Sequence, residues 1–217
     1  MNRGFTLVEL LVSIAIFIIM TTLVVTKYGN FNQSTLLTNT AYDIALTMRT
    51  AQTYGLSVRN VGAIGAAANF ASSFGVDFNI AAQGTGGANT CTGGNSDSGH
   101  LVLFADTYPA LSSPPGNGVY DLPNNCDTPV TEYALTRGAT ITAICAGGGL
   151  VCTDSGLTQL DVTFRRPNPN ALICVNGNCA TLCGGGITCA YAEITLRAVD
   201  GSTRIITIRK NGQIGVI

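Results

Sequence analysis

The stretch Arg3-Gly4-Phe5-Thr6-Leu7-Val8-Glu9 opens the apolar run that decides the architecture of this chain. From Phe5 to Thr26 the only ionisable side chain is Glu9. At about 1.5 Å of rise per residue, this run would form a helix of roughly 33 Å, which is long enough to cross a bilayer. The sequence therefore predicts a transmembrane helix with one carboxylate close to its start.

The Glu9 carboxylate has no basic side chain inside the apolar run with which to pair. An acidic side chain in a membrane span costs about 2.5–3.5 kcal/mol on insertion scales, so such a residue is read as functional and its partner is sought. A plain signal-anchor would use Arg3 on the cytoplasmic side but would give Glu9 no role. A secretory signal peptide would need a small-residue cleavage site, whereas the run ends in Leu23-Val24-Val25-Thr26-Lys27.

The string Gly4-Phe5-Thr6-Leu7-Val8-Glu9, after a short basic leader, resembles the type III signal of type IV pilins and pseudopilins. The resemblance implies cleavage between Gly4 and Phe5 by a prepilin peptidase, followed by N-methylation of Phe5. It also implies that Glu9 neutralises the α-amino group of a neighbouring subunit and so sets the register of a filament. A charge pair of this kind is worth far more in a medium of low dielectric constant than in water.

All of the cysteines lie beyond the apolar run, and their number is even. They are Cys91, Cys126, Cys145, Cys152, Cys174, Cys179, Cys183 and Cys189. This pattern is typical of disulfides in an oxidising compartment. Short loops favour Cys145–Cys152 and Cys174–Cys179 and leave Cys183–Cys189 and Cys91–Cys126, although sequence alone does not choose the pairing. Zinc is the rival use, but there is no Cys-x-x-Cys pair and His100 is the only histidine.

A second helical pattern follows the apolar run. Apolar residues recur at intervals of three and four, which is the spacing of an amphipathic helix; they are Leu37, Ala41, Ile44, Met48 and Ala51. We expect this helix to begin near Ser34 and to stop at Gly55, with Gly29-Asn30 bending or loosening the joint to the apolar part.

From Leu56 onward the apolar period changes to two, which indicates short strands. The predicted strands lie at 74–78, 101–104, 141–144, 160–164, 193–198, 204–210 and 213–217. Asp200-Gly201 and Asn211-Gly212 are hairpin-turn pairs. The head is therefore predicted to be an antiparallel sheet structure that ends in a meander.

The order of these segments resembles the H-type minor pseudopilins of type II secretion and the FimT-like minor pilins. The matching strings are Tyr54-Gly55-Leu56, 74–78, 103–106, 160–167 and 192–216. The expected fold is α+β and pilin-like, with a long N-terminal helix packed on an antiparallel head that carries disulfides. The expected divisions are a leader over 1–4, a transmembrane helix over 5–28, an amphipathic helix over 29–55 and a head over 56–217.

The expected function is that of a structural minor pilin-like or pseudopilin subunit of a type II secretion or type IV pilus filament. Its expected partners are the prepilin peptidase, other pilins or pseudopilins, and an inner-membrane assembly platform. We expect the chain to sit in the cytoplasmic (inner) membrane with its head outside the cytoplasm, and later in a filament in the periplasm or at the cell surface. We expect no enzyme activity, no cofactor and no metal, and we interpret Asn95-Ser96-Asp97-Ser98-Gly99 as a solvated turn because it lacks the spaced acids of a calcium loop.

Two other functions remain open. A net charge of −1 gives the whole molecule no bulk attraction to nucleic acid. FimT-like pilins, however, bind DNA during uptake through a basic C-terminal region, so one alternative is a DNA-binding minor pilin for natural transformation. The candidate DNA contacts here are Arg197, Arg204, Arg209 and Lys210. An adhesive or major pilin is the other alternative.

Overall fold

The computed structural model describes residues 6–57, 59, 73–81, 96–107, 116–121, 127–149, 151–179, 182–183 and 187–217. Helix α1 (Leu7–Leu56) comes first. It is followed by strands β1 (Ser73–Asn79), β2 (His100–Asp106), β3 (Thr128–Ala134), β4 (Thr140–Gly147), β5 (Asp154–Leu157), β6 (Gln159–Arg165), β7 (Asn168–Val175), β8 (Leu182–Cys183), β9 (Ile187–Thr188), β10 (Tyr191–Arg197), β11 (Thr203–Arg209) and β12 (Ile214–Val216). A 3-10 turn at Thr136–Gly138 joins β3 to β4.

Helix α1 contains both the apolar segment and the amphipathic segment. Gly29 and Asn30 lie inside it, so the two helical patterns of the sequence belong to one continuous element. The predicted apolar stripe of the second segment is buried in the head: Leu37, Ala41, Ile44, Met48 and Ala51. Burial of this stripe is what attaches the helix to the head, because the hydrophobic effect scales with the apolar area removed from water.

Two antiparallel sheets share one core with the helix. The first sheet has the strand order β3-β2-β1-β6-β7, and the second has the order β12-β11-β10-β4-β5. Strands β8 and β9 form a separate hairpin. The inner faces of both sheets contribute buried side chains to the same cluster as α1, among them Val76, Phe78, Val162, Ile194 and Ile206. This arrangement is the α+β, pilin-like fold that the sequence predicted.

Strand β1 is buried along its whole length, on both of its faces. Phe74, Val76 and Phe78 face the helix side, so alternation places Asp77 on the opposite face. That outer face is covered as well, since Asp77 has no exposed area.

Each predicted strand lies within an observed strand or overlaps one. Both predicted hairpin turns are also present. Gly201 and Gly212 adopt positive φ values of 85° and 82°. Sequence reasoning missed β3, β5, β7, β8 and β9. In β3 the reason is Pro129, which lacks an N–H group and is tolerated only because β3 is an edge strand.

Gly55 does not stop the helix, which ends one residue later at Leu56. A Cβ atom on Gly55 would lie 2.3 Å from the carbonyl oxygen of Phe164 in β6. The glycine is therefore present because the last turn of α1 packs directly on the backbone of the sheet.

Candidate functional site

The first turn of α1 is built by Thr6 and Glu9. Thr6 is the N-cap, and its Oγ1 accepts a hydrogen bond from the backbone N–H of Glu9 at 3.3 Å. This bond satisfies one of the N–H groups that a helix start leaves free. Glu9 lies on an exposed surface in the first turn, where the helix dipole favours a negative charge. Gly4 and Phe5, the predicted cleavage and methylation positions, lie outside the described residues.

The segment Leu7–Thr26 is apolar and long enough to cross a membrane by its length and composition. None of it is buried inside the head. Its hydroxyl groups are internally satisfied: Ser13 Oγ donates to the carbonyl of Glu9 at 2.7 Å and Thr22 Oγ1 to that of Ile18 at 2.7 Å. A side chain that returns its polar group to the helix backbone is compatible with an apolar surrounding, where unpaired polar groups are costly.

Six of the eight cysteines form three disulfides within the described residues, namely Cys145–Cys152, Cys174–Cys179 and Cys183–Cys189. The first two are the pairs that short loops favoured. Cys91 and Cys126 lie outside the described residues, so their predicted pairing stays a prediction.

The four basic residues proposed as DNA contacts do not form one patch. Arg197 and Arg209 are both exposed. In the register of the β10–β11 ladder, Arg197 lies opposite Thr203 at one end and Arg209 lies opposite Tyr191 at the other end. At about 3.3 Å per residue, these ends are roughly 20 Å apart. Lys210 follows Arg209 at the far end of β11.

Arg204 lies on the other face of β11. It shares this face with Ile206 and Ile208, which are buried. Its guanidinium binds helix α1, with Nε donating to Thr38 Oγ1 at 3.0 Å and Nη2 donating to Ser34 Oγ at 3.3 Å. Arg204 therefore joins the C-terminal sheet to the helix.

The outer face of the first sheet carries a buried group of carboxylates that sequence reasoning missed. Asp77, Asp106 and Asp161 have no exposed area, and Asp127 is 3% exposed. The signal in the sequence was the position of Asp77 and Asp161 in the middle of predicted strands, where aspartate is depleted. Alternation alone places both residues on an outer face and predicts that they are solvated.

A segment that we call the strap, residues 116–121, covers this face. Its backbone N–H groups donate to the carboxylates: Asn117 and Gly118 to Asp106 at 3.0 and 2.9 Å, and Tyr120 to Asp161 at 3.0 Å. Asp121 N–H likewise donates to Asp127 at 3.0 Å. These bonds satisfy the backbone of a segment that has no strand partner, because carboxylates accept more hydrogen bonds than any other side chain.

Apolar contacts and one disulfide complete the docking of the strap. The Tyr120 ring packs on Phe104 with ring centroids 4.9 Å apart. The Cys174–Cys179 disulfide lies directly against the strap, since a Cβ atom on Gly118 would meet Cys179 Sγ at 2.8 Å. Gly118 also has a φ of 92°, which favours glycine at this position.

Burial dominates the titration of these groups. It raises the pKa of Asp106 to about 6, against the opposing effect of donors from Ser73, Gly118 and Asn117. Burial raises the pKa of Asp77 to about 6, although hydrogen bonds from Ser96, Asp161 and Gln159 act in the opposite direction. Burial also raises the pKa of Asp161, and the negative charge of Asp77 raises it further.

The turn predicted at 95–99 is present over its described part, but it is only partly exposed to solvent, contrary to the prediction of a solvated turn. Asp97 Oδ1 accepts a hydrogen bond from Gly99 N at 2.6 Å and lies 2.8 Å from His100 Nδ1. Ser96 points the other way, is fully buried, and donates to Asp77. Within the described residues, no group of three or more His, Cys, Asp or Glu side chains has an arrangement that could hold a metal ion.

Comparison with protein families identifies one match, at the N-terminus. Residues 1–25 match the model of the prokaryotic N-terminal methylation motif. Neither the curated proteins nor the solved structures contain a match to the chain. The match covers the predicted leader, Glu9 and nearly all of the apolar part of α1. The prokaryotic N-terminal methylation motif at residues 1–25, together with the apolar helix that it begins, supports anchoring of this chain in a membrane.

Proposed function

We propose that this chain is a structural minor pilin-like or pseudopilin subunit of a type II secretion or type IV pilus filament. The observation that carries the proposal is the continuity of α1: one helix begins at the methylation motif, exposes a membrane-length apolar surface and ends as the spine of the head. Such a helix can be held by lipid before assembly and by the helices of other subunits afterwards.

Processing is proposed to occur between Gly4 and Phe5, with methylation of the new amino group of Phe5. The helix N-cap at Thr6 then lies one residue from the mature N-terminus. The mature α-amino group would therefore lie about one helical turn before Glu9. This short separation suits pairing between the amino group of one subunit and Glu9 of a neighbour.

The orientation is proposed to place the head outside the cytoplasm. Arg3 precedes the span, and basic residues favour the cytoplasmic side. The three disulfides lie on the other side of the span and suit an oxidising compartment. The same argument makes a cytoplasmic location for the head unfavourable.

The test is the intact mass of the full chain expressed with and without a prepilin peptidase. We expect the loss of residues 1–4 and the addition of one methyl group only when the peptidase is present. Gly4→Leu is the matched control, because it leaves the helix unchanged and should block the cut. An uncut wild-type chain in the presence of an active peptidase would contradict the proposal and leave a membrane-anchored protein of another kind.

A further inference from the structure

We propose that Asp77 and Asp161 hold a single proton between them in the folded head, and that this proton keeps the strap docked on the sheet. The proposal concerns the head alone and does not depend on the assembly function proposed above.

The first step is the geometry of the pair. Asp77 in β1 and Asp161 in β6 are directly opposite each other in the antiparallel ladder, where facing side chains come within about 4.5–5.5 Å at Cβ. Gln159 Nε2 donates to both, at 3.4 Å to Asp77 Oδ1 and 3.1 Å to Asp161 Oδ2. Asp77 Oδ1 and Asp161 Oδ2 therefore lie around the same amide nitrogen, with the two carboxyl groups side by side. Carboxylates are acceptors only, so a hydrogen bond between them requires a proton.

The second step is the surrounding of the pair. Neutral groups lie around the pair on this face: Ser96 donates to Asp77, Val102 lies opposite Asp77 in the β1–β2 ladder, and Val102, Phe104 and Tyr120 form a buried cluster. Two negative charges enclosed in this way would repel each other without solvent to screen them. Burial raises the pKa of both carboxyl groups, and the negative charge of Asp77 raises the pKa of Asp161 further.

The third step is the set of charged and titratable groups that face the pair from the elements around it. Most are acidic or carry no charge near neutral pH: Asp106 from β2, Asp127 and Glu132 at β3, and Tyr120 and Asp121 from the strap. Within the part of the chain that the structure describes, Arg165 in β6 supplies a positive charge on this face; its Nη2 lies 4.0 Å from Asp106 Oδ2 and donates to the Gly116 carbonyl at 3.3 Å. His100 is engaged with Asp97. The neighbouring acids therefore favour retention of the proton.

The fourth step links the proton to the strap. Tyr120 N–H donates to Asp161 Oδ1, and the Tyr120 ring covers Phe104. Loss of the shared proton places two charges beneath this contact, and the way to solvate them is to lift the strap and admit water. The folded head binds more protons than the unfolded chain wherever the pKa values are raised, so its stability falls as pH rises.

The experiment is amide hydrogen exchange on the full disulfide-bonded chain in detergent micelles, over a series from about pH 5 to about pH 9, corrected for the intrinsic exchange rate. In the wild type we expect the opening of amides 117–121 to rise at least about tenfold over this range, which corresponds to about one pKa unit of linkage. Amides of β10 and β11 should show no such rise.

Asp77→Asn and Asp161→Asn are the test variants, because an amide keeps the shape of the carboxyl group and supplies the bridging hydrogen without a titration. From pH 7 upward, where Asp106 with its pKa of about 6 is already largely ionised, we expect each variant to keep the strap protected, with less than about a threefold change in opening. Asp200→Asn is the matched control: this exposed aspartate lies in the β10–β11 turn, and its pKa is lowered by hydrogen bonds from Ser202.

A second readout detects the proton itself. The infrared spectrum of the wild type at neutral pH should contain a protonated-carboxyl band that both asparagine variants lack and that Asp200→Asn keeps. The proposal is overturned if this band is absent, if the variants open with the same pH dependence as the wild type, or if neither variant folds. It is also overturned if millimolar Ca²⁺ closes the strap of the wild type at high pH and a chelator reopens it, because the pair would then hold a cation.

Discussion

Arg204 on β11 donates from Nε to Oγ1 of Thr38 on α1, at 3.0 Å. This bond ties the last third of the chain to the first, across a sequence separation of 166 residues. A second bond from Nη2 to Ser34 Oγ supports it. Arg204, which the sequence predicted to contact DNA, thus hydrogen bonds the C-terminal sheet to helix α1; we call this contact the Arg204 clamp.

Arg204→Ala should lower the free energy of unfolding by about 1–2 kcal/mol, because hydrogen bonds to a charged group are worth more than neutral ones and these are only partly buried. Arg197→Ala, an exposed change on the neighbouring strand, should stay within about 0.5 kcal/mol of the wild type. Denaturant unfolding of the full chain in micelles, followed by circular dichroism, measures both. Equal stability of the two variants would mean that the clamp contributes nothing. Measuring how much DNA each variant retains at low salt tests the alternative function separately. Retention equal to that of the wild type would mean that neither arginine contacts DNA.

Met48→Ala should destabilise the head by about 2–5 kcal/mol, since it removes a fully buried side chain and leaves a cavity. Leu46→Ala is the matched control on the same helix, because Leu46 is 62% exposed whereas Met48 is 0% exposed. The control should cost no more than about 0.5 kcal/mol. The same unfolding measurement applies, and a large loss in Leu46→Ala would show that the wrong face of α1 has been assigned to the core.

Gly55→Ala separates helix propensity from packing. Alanine is favoured over glycine in a helix by about 1 kcal/mol, so propensity alone predicts a more stable protein. A Cβ atom would, however, lie 2.3 Å from the backbone oxygen of Phe164, and overpacking of this kind costs about 1–3 kcal/mol. We expect net destabilisation. Gly149→Ala, where no atom lies within 4 Å of the added Cβ, should be nearly neutral.

The Cys174–Cys179 disulfide packs against the strap, so its removal should destabilise the strap more than the rest of the head. Cys174→Ser with Cys179→Ser should cost about 2 kcal/mol on the loop-entropy model and should raise exchange at amides 117–121 more than in β10. Non-reducing peptide mapping first checks the three pairs, Cys145–Cys152, Cys174–Cys179 and Cys183–Cys189. A cross-linked peptide that joins two of these pairs would refute the connectivity.

Glu9→Gln should leave peptidase processing intact but reduce incorporation into sheared filaments by about tenfold or more, because it removes the charge while keeping the size of the side chain. The helix start should be unaffected, since Thr6 caps the backbone of residue 9 and not its side chain. Glu9→Asp keeps the charge and serves as the control. Wild-type incorporation of Glu9→Gln would exclude a charge-based role.

The sequence by itself determined the parts of this protein that depend on local pattern. The span follows from an unbroken apolar run, the buried stripe of α1 follows from its three-and-four spacing, and the C-terminal meander follows from alternation and two glycine turns. The methylation motif at residues 1–25 also needs no tertiary structure, because it is matched on sequence alone.

Only the tertiary structure decided which polar side chains of the strands are exposed to solvent. Alternation assigns Asp77 and Arg204 to faces of strands but says nothing of what covers those faces. The strap covers Asp77 and turns two solvated carboxyl groups into a buried pair, and α1 covers Arg204 and turns a surface cation into a clamp. Both outcomes arise from contacts between residues far apart in the chain, where burial and not local propensity sets the free energy of a polar group.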